Sequence, residues 1–195
     1  MGEGVKAPKY QLFEKLRDEE YSALEADIKA RGVMVAVEVD ENGDTLDGHH
    51  RREIADRVGK PYKTVVRRFK TETEKREHVI KVNMARRHME PWQWGIAFKR
   101  LLDERGVKRG RGGDRKSSAT SALDTANAIA AELGVPLDTA KKRIAQADAF
   151  ESFAREEQEA IRQRAQTVLQ VKRARKEKAR EAKRAENLNS KELIG

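Results

Sequence analysis

The sequence predicts an α/β N-terminal domain with a small mixed sheet, followed by an all-α region and a basic C-terminal helix. Three observations carry this prediction. Two β-branched runs, residues 33–39 and 62–69, alternate with stretches of helical period. A Gly-, Arg- and Ser-rich segment without apolar periodicity, residues 106–118, then interrupts the chain. Beyond it the apolar residues recur only at helical spacing, and the chain runs out in Lys, Arg, Ala and Glu.

The elements follow in order. Residues 18–30 place Tyr21, Leu24 and Ile28 on one helical face. Residues 33–39 alternate and read as a strand, and Asn42-Gly43 supplies a hairpin-type turn into a short strand at Thr45-Leu46. A short helix spans 51–58 until Gly59-Lys60-Pro61 breaks it, and 62–69 is a second strand. Residues 71–89 read as a helix. Pro91 opens another, to about residue 105, because proline is tolerated at the first helical position. Trp92 and Trp94 are able to stack on bases, but they share a helix with Ile96, Phe98, Leu101 and Leu102, so a packing role is expected. A second helix of a pair starts near Leu137, residues 151–169 are helical in pattern, and 172–186 are an exposed helix or a frayed tail. The expected divisions are an arm at 1–17, the α/β domain at 18–105, a basic linker at 106–118, the paired helices at 119–169 and a basic tail at 170–195.

Composition narrows the function classes. The chain has 195 residues, 37% hydrophobic and 38% charged, which is polar for a single compact core and predicts extended helices or tails. Cysteine is absent, which excludes disulfides, thiolate metal sites and cysteine catalysis. Four histidines without suitable carboxylate spacing give no metal site. No apolar run approaches a bilayer span, and the N-terminus lacks a signal-type apolar region, so a soluble, cytoplasmic protein without a membrane partner is expected. Net charge is +9. Residues 105–116 hold six Lys/Arg against one Asp, and 172–184 hold eight against two Glu, so these two blocks carry more than the whole net charge. Such blocks suit a polyanion.

Leu46-Asp47-Gly48-His49-His50-Arg51 stands between strand and helix. Glycine allows a tight turn and close backbone approach to a ligand. A helix start directs unpaired N–H groups outward, and a guanidinium grips phosphate as a fork. The local chemistry is that of a phosphate-binding turn, and equally that of a tight turn with a polar helix cap.

Gly48-His49-His50-Arg51 resembles the phosphate-binding motif of the ParB/sulfiredoxin superfamily, where ParB proteins carry Gly-Glu-Arg-Arg and sulfiredoxins Gly-Cys-His-Arg. The run from Ala23 to Ile28, with Gly32-Val33, is similar to the helix, glycine and strand that precede that motif. About thirty residues later, Asn83-Met84-Ala85-Arg86-Arg87-His88-Met89-Glu90-Pro91 resembles a second ParB motif, Glu-Asn-x-x-Arg-x-x-Leu-x-Pro. The resemblance covers residues 18–102 and implies a ParB/sulfiredoxin-like domain. It also implies CTP or another nucleotide as ligand, clamp formation on DNA and, in some relatives, CTPase, nuclease or small-molecule kinase activity. Carried over residue by residue, it places Gly48, His49, His50, Arg51, Asn83 and Arg86 at a nucleotide or phosphate site. ParB's two motif glutamates are His49 and Val82 here. Magnesium prefers oxygen ligands, so binding with little turnover is expected unless Asp44, Asp47 or Glu53 substitutes. Sulfiredoxin chemistry is excluded, because His49 stands at its cysteine.

Downstream, Ala130 and Gly134 four residues later, followed by a helix from about Leu137, read as a helix-turn-helix. A plain αα-hairpin is the alternative. In a helix-turn-helix the second helix enters the major groove by its N-terminal part, so Thr139, Lys141, Lys142 and Arg143 are expected to contact double-stranded DNA, assisted by Arg109 and Arg111 in the linker and Lys172 and Arg173 in the tail. Arg143 stands where an apolar residue is common. The expectation is a ParB-like DNA-binding protein, with a homodimer as one assembly open to it, acting in plasmid or phage segregation (partition) or transcription regulation. The alternative is a nucleotide-dependent enzyme of the same fold.

Overall fold

The computed structural model describes residues 8–86, 89–107 and 117–192. Its elements run α1 (Asp18–Arg31), β1 (Val37–Val39), β2 (Thr45–Asp47), α2 (His49–Val58), β3 (Thr64–Val66), α3 (Glu72–Arg86), α4 (Pro91–Glu104), α5 (Ser117–Glu132), α6 (Leu137–Glu151), α7 (Arg155–Arg162) and α8 (Val168–Glu192). The described chain is thus mostly helical, with one small mixed sheet of order β2-β1-β3. It divides into two compact units, one from residues up to 88 with 100–133, the other from 89–99 with 134 onward. No helix among the described residues is long and apolar enough to cross a membrane.

In the first unit, α1 begins where Glu20 reaches back to the N–H of Arg17, and three acidic residues occupy its first turn, where the helix dipole favours them. β1 and β2 pair antiparallel across the Asn42-Gly43 turn, in which Gly43 is left-handed with φ 82°. β1 and β3 pair parallel, Val37 to Thr64 through Val39 to Val66. The core includes Tyr10, Leu46 and Val79, with Leu12 and Phe69 packed against them. Ile28, Ile54 and Ile80 are fully buried.

The strands are shorter than the pattern predicts. Only Val37–Val39 of 33–39 is paired, and Met34 is 73% exposed. The cause is the partner: of 62–69 only Thr64–Val66 pairs, and Phe69 turns inward to the Tyr10 cluster. Alternation specifies a face, but pairing needs a neighbour.

β1 and the residue after it carry charge into the interior. Asp40 is 1% exposed and receives Lys75 Nζ at 2.7 Å and the N–H groups of Asn42 and Asp44, both at 2.9 Å. Burial alone would raise its pKa; the Lys75 ammonium and those N–H groups outweigh it and hold the carboxyl below its ordinary range. One turn on, His78 Nε2 lies 2.7 Å from Glu38, which also receives Arg67 at 2.9 Å. His78 is therefore part of a strand–helix network rather than a bystander on its helix.

The second unit is built around Trp92, Phe150, Phe153, Ile161, Val168 and Val171. Trp92 stacks on Phe150 with centroids 3.9 Å apart, and Trp94 stacks on Phe98 at 5.2 Å. Both tryptophans pack, as their helical neighbours predict. Residues 151–169 are not one helix. α6 ends at Glu151, where the N–H and Oγ of Ser152 both bond the Ala149 carbonyl, and α7 restarts at Arg155 with Glu157 capping the N–H of Ala154. Arg164, at φ 57°, ends that short helix before α8. The tail begins as the helix α8, with Val168 and Val171 in the core and 172–184 exposed.

Candidate anion pocket and candidate nucleic-acid interface

Gly48 is the N-cap of α2 and is left-handed, φ 90° and ψ 25°, a conformation that a side chain strains. The N-cap residue itself brings no capping side chain, and the partial positive charge of a helix start attracts an anion. A pocket of about 210 Å³ lies over it. Asp47, Gly48, His49, His50 and Arg51 form one wall, Asn83 of α3 stands across, and Tyr10 to Phe13 with Leu16 close it.

Arg51 does not reach across the pocket. Its guanidinium folds back over Gly48, where a Cβ would stand 2.8 Å from Nη2. Nη2 donates to Asp47 Oδ2 at 3.0 Å and to the Ala36 carbonyl at 3.4 Å. Its Nε is buried without a hydrogen-bond partner. The glycine therefore serves two ends, the backbone turn and the space for the guanidinium.

The two imidazoles differ. Burial, and then the neighbouring His50, push the pKa of His49 below its ordinary value, so at neutral pH it is uncharged, and its Nε2 is buried and unpartnered. His50 is buried, its Nε2 accepts the N–H of Leu16 at 3.5 Å, and its ring meets Tyr21 edge-on. Asn83 is buried on the pocket wall, but its Nδ2 donates to the Val79 carbonyl at 2.8 Å. Arg86 ends α3, and its side chain lies outside the described residues. The structure thus brings Gly48, His49, His50, Arg51 and Asn83 to one pocket.

Of the substitute carboxylates, Asp47 holds Arg51 and Glu53 receives the Tyr21 hydroxyl at 3.0 Å. Asp44 lies in the β1–β2 turn with its N–H on Asp40. Among the described residues no three His, Asp or Glu side chains gather as a metal site would need.

Sequence reasoning missed the pocket's 10–16 wall. Tyr10 is 1% exposed, and its hydroxyl donates to Glu72 at 3.0 Å. The apolar spacing of Tyr10, Leu12, Phe13 and Leu16 was the available signal.

On α6, Lys141 and Lys142 are exposed, and Thr139 is half-buried. The helix follows Leu133 to Pro136, with Gly134 at φ 64°, and Asp138 lies in its first turn. Arg143 is half-buried, and its guanidinium lies 4.5 Å from the Trp94 ring centroid, a cation–π contact. The unusual residue in that apolar slot is accommodated by stacking. Beneath it, α4 and α6 approach at Gly95, where a Cβ would stand 2.1 Å from the Arg143 carbonyl oxygen and 2.9 Å from Ala147 Cβ. Gly95 is a packing residue that the sequence pattern hid, since a lone glycine in a helix carries no partner label. Lys172 and Arg173 are exposed on α8. Arg109 and Arg111 lie outside the described residues.

No family model matches this chain, and no curated protein sequence does. Among solved structures, it is similar to the C-terminally truncated chromosome-partitioning protein ParB from Caulobacter crescentus complexed to the centromeric parS site. That match has 17% identity and a TM-score of 0.47 and covers 82% of this chain and 74% of that chain. It is also similar to the same protein complexed with CTP-γ-S, at 18% identity and TM-score 0.36, over 78% of this chain and 76% of that one.

Proposed function

We propose that this chain is a ParB-like DNA-binding protein, acting in plasmid or phage segregation or in transcriptional control, with a nucleotide as its modulating ligand. The observation that carries the DNA reading is the first turn and a half of α6. It follows a short glycine turn and presents Lys141 and Lys142 to solvent, free of any ion pair among the described residues. Exposed cations at the start of a helix after such a turn suit the major groove, and phosphates beside it. Arg109, Arg111, Lys172 and Arg173 would add contacts to the backbone of double-stranded DNA.

The nucleotide part rests on the pocket over Gly48. A helix start whose N-cap is glycine, a guanidinium with a buried unpartnered Nε, and Asn83 in the same pocket fit a phosphate group. Arg51 and the α2 N–H groups would hold it, while His49 would form part of the wall. The residues present do not fit magnesium, since the nearest carboxylate already neutralises Arg51. Binding without appreciable turnover follows.

Replacing Lys141 and Lys142 by Ala tests the DNA reading. Affinity for a duplex should fall, and the slope of log affinity against log salt should drop by up to about one unit per lost phosphate contact. Unchanged affinity and slope in a folded double variant would remove α6 from the interface. Calorimetry with CTP, ATP and GTP on wild type and Arg51→Ala tests the pocket. Losing one charge-assisted contact should weaken binding by roughly ten- to a hundredfold.

A further inference from the structure

We propose that the free edge of β3 is a docking site for an acidic peptide, which adds to the sheet as a fourth strand. β3 is an outer strand of the order β2-β1-β3. Its pairing with β1 shows which backbone groups are used. The Lys63 carbonyl accepts the N–H of Val37, and Arg67 donates its N–H to the Val39 carbonyl. With the parallel register this assigns residues 63, 65 and 67 to the β1 side, so the N–H and C=O groups of Thr64 and Val66 point outward. The other outer strand, β2, is half-buried and has Leu46 at 0% exposure. Every residue of β3 is exposed, with Val65 at 39% and Val66 at 55%.

Charge identifies the partner. Lys60, Lys63, Arg68 and Lys70 flank the strand, all four side chains lacking an ion pair among the described residues; Arg67 is held by Glu38. Cations beside an edge strand guard it against strands of like charge. Two copies of this edge laid together would oppose Lys63, Arg67 and Arg68 to themselves, so a second copy of the chain is disfavoured. A nucleic acid would engage the cations but neither the outward amides nor the exposed valines. An extended acidic segment engages all three, through main-chain hydrogen bonds, apolar contacts on alternate residues and charge pairs.

The test uses the full chain and two fluorescein-labelled octapeptides, one of alternating Glu and Val, the other of alternating Lys and Val. The acidic peptide should bind at least about tenfold more tightly than the basic one, weaken with salt, and slow amide exchange at Thr64 and Val66. Val66→Pro removes an outward N–H while leaving the β1 hydrogen bonds in place, and should abolish binding. Lys63→Glu with Arg68→Glu leaves the edge intact but sets two new anions against Lys60 and Lys70, and should erase the preference for the acidic peptide, which keeps the proposal testable if the proline variant misfolds. Equal binding of both peptides, no binding of either, or acidic-peptide binding indifferent to the variants overturns it. So does loss of duplex DNA affinity in the charge-reversal variant without peptide binding in the wild type, which would give these cations to nucleic acid.

Discussion

Arg51 is neutralised by Asp47, four residues before it, across the glycine that begins α2, with Nη2 and Oδ2 3.0 Å apart. Both side chains are largely sheltered, 23% and 13% exposed. The group best suited to hold an anion is thus already occupied by one from its own chain. A phosphate entering the pocket must compete with that carboxylate or draw the guanidinium away from it.

Asp47→Asn should therefore raise affinity for CTP or pyrophosphate. A partly sheltered pair of this kind contributes about 1 kcal/mol, which corresponds to roughly fivefold in affinity. Calorimetry at low ionic strength measures it. Weaker binding in the variant would show that Asp47 serves the ligand directly, for instance by holding a cation with it.

Gly95→Ala should destabilise the second unit. Glycine to alanine inside a helix ordinarily gains about 1 kcal/mol. Here the new methyl meets backbone, the Arg143 carbonyl, at 2.1 Å, and backbone yields little. Forcing helices apart costs about 1–3 kcal/mol, so the sign reverses. A thermal melt should fall by several degrees, and duplex affinity should fall with it as the Trp94–Arg143 stack shifts. An unchanged or raised melting temperature would show that α4 and α6 do not approach this closely.

The first unit should show an acid limb set by Arg105. Its guanidinium bonds Glu77 through Nε and Nη2 at 3.1 and 3.0 Å, and Glu132 through Nη1 and Nη2 at 2.9 and 2.8 Å. Arg105, and then Lys81, lower the pKa of Glu132 to about 2. Because the folded value lies below the ordinary 4.5, the contribution is complete above that pH and is lost as pH falls from 4.5 toward 2. Glu132 is 42% exposed, so solvent screening limits the effect to about 1 kcal/mol or less. Arg105→Gln should flatten this limb in urea titrations at pH 7, 4 and 3. An acid limb identical to wild type would mean that the fork does not form in solution.

The sequence exposes most of this where the signal is local. Asn42-Gly43 and the Gly59-Lys60-Pro61 break mark turns through their backbone preferences. Tyr21, Leu24 and Ile28 mark α1 by period, and Gly48 with Arg51 marks the pocket wall. What stays hidden depends on partners remote in sequence. The three-residue strands are set by the length of their shared ladder. The α6–α7 break at Ser152 replaces a helical pattern that alone would run on. Asp40 and Lys75 form a buried pair whose members look like surface charges when read singly. Asp47 with Arg51 was readable from its i,i+4 spacing, although the sequence alone offered Asp47 as a replacement metal carboxylate.

The basic tail divides into residues that hold the fold and residues that face solvent, and the division fixes how to test it. Val171 is buried against the Trp92 cluster, so cutting the chain after Gln170 would damage the core. Arg175 is also structural, bonding Glu157 through Nε at 3.1 Å and lying 4.8 Å from the Phe153 ring centroid. Lys172, Arg173 and Lys176 are exposed, have no ion pair among the described residues, and precede the first glutamate of the helix. Replacing these three by Ala should leave stability within about 0.5 kcal/mol, since none is packed. Affinity for several unrelated duplexes should fall by one common factor, and the salt slope should drop by up to about 2.7 units if each side chain contacts a phosphate. A loss confined to some duplexes would make α8 a reader of sequence. No loss on any of them would leave it a solvated helix outside the DNA interface.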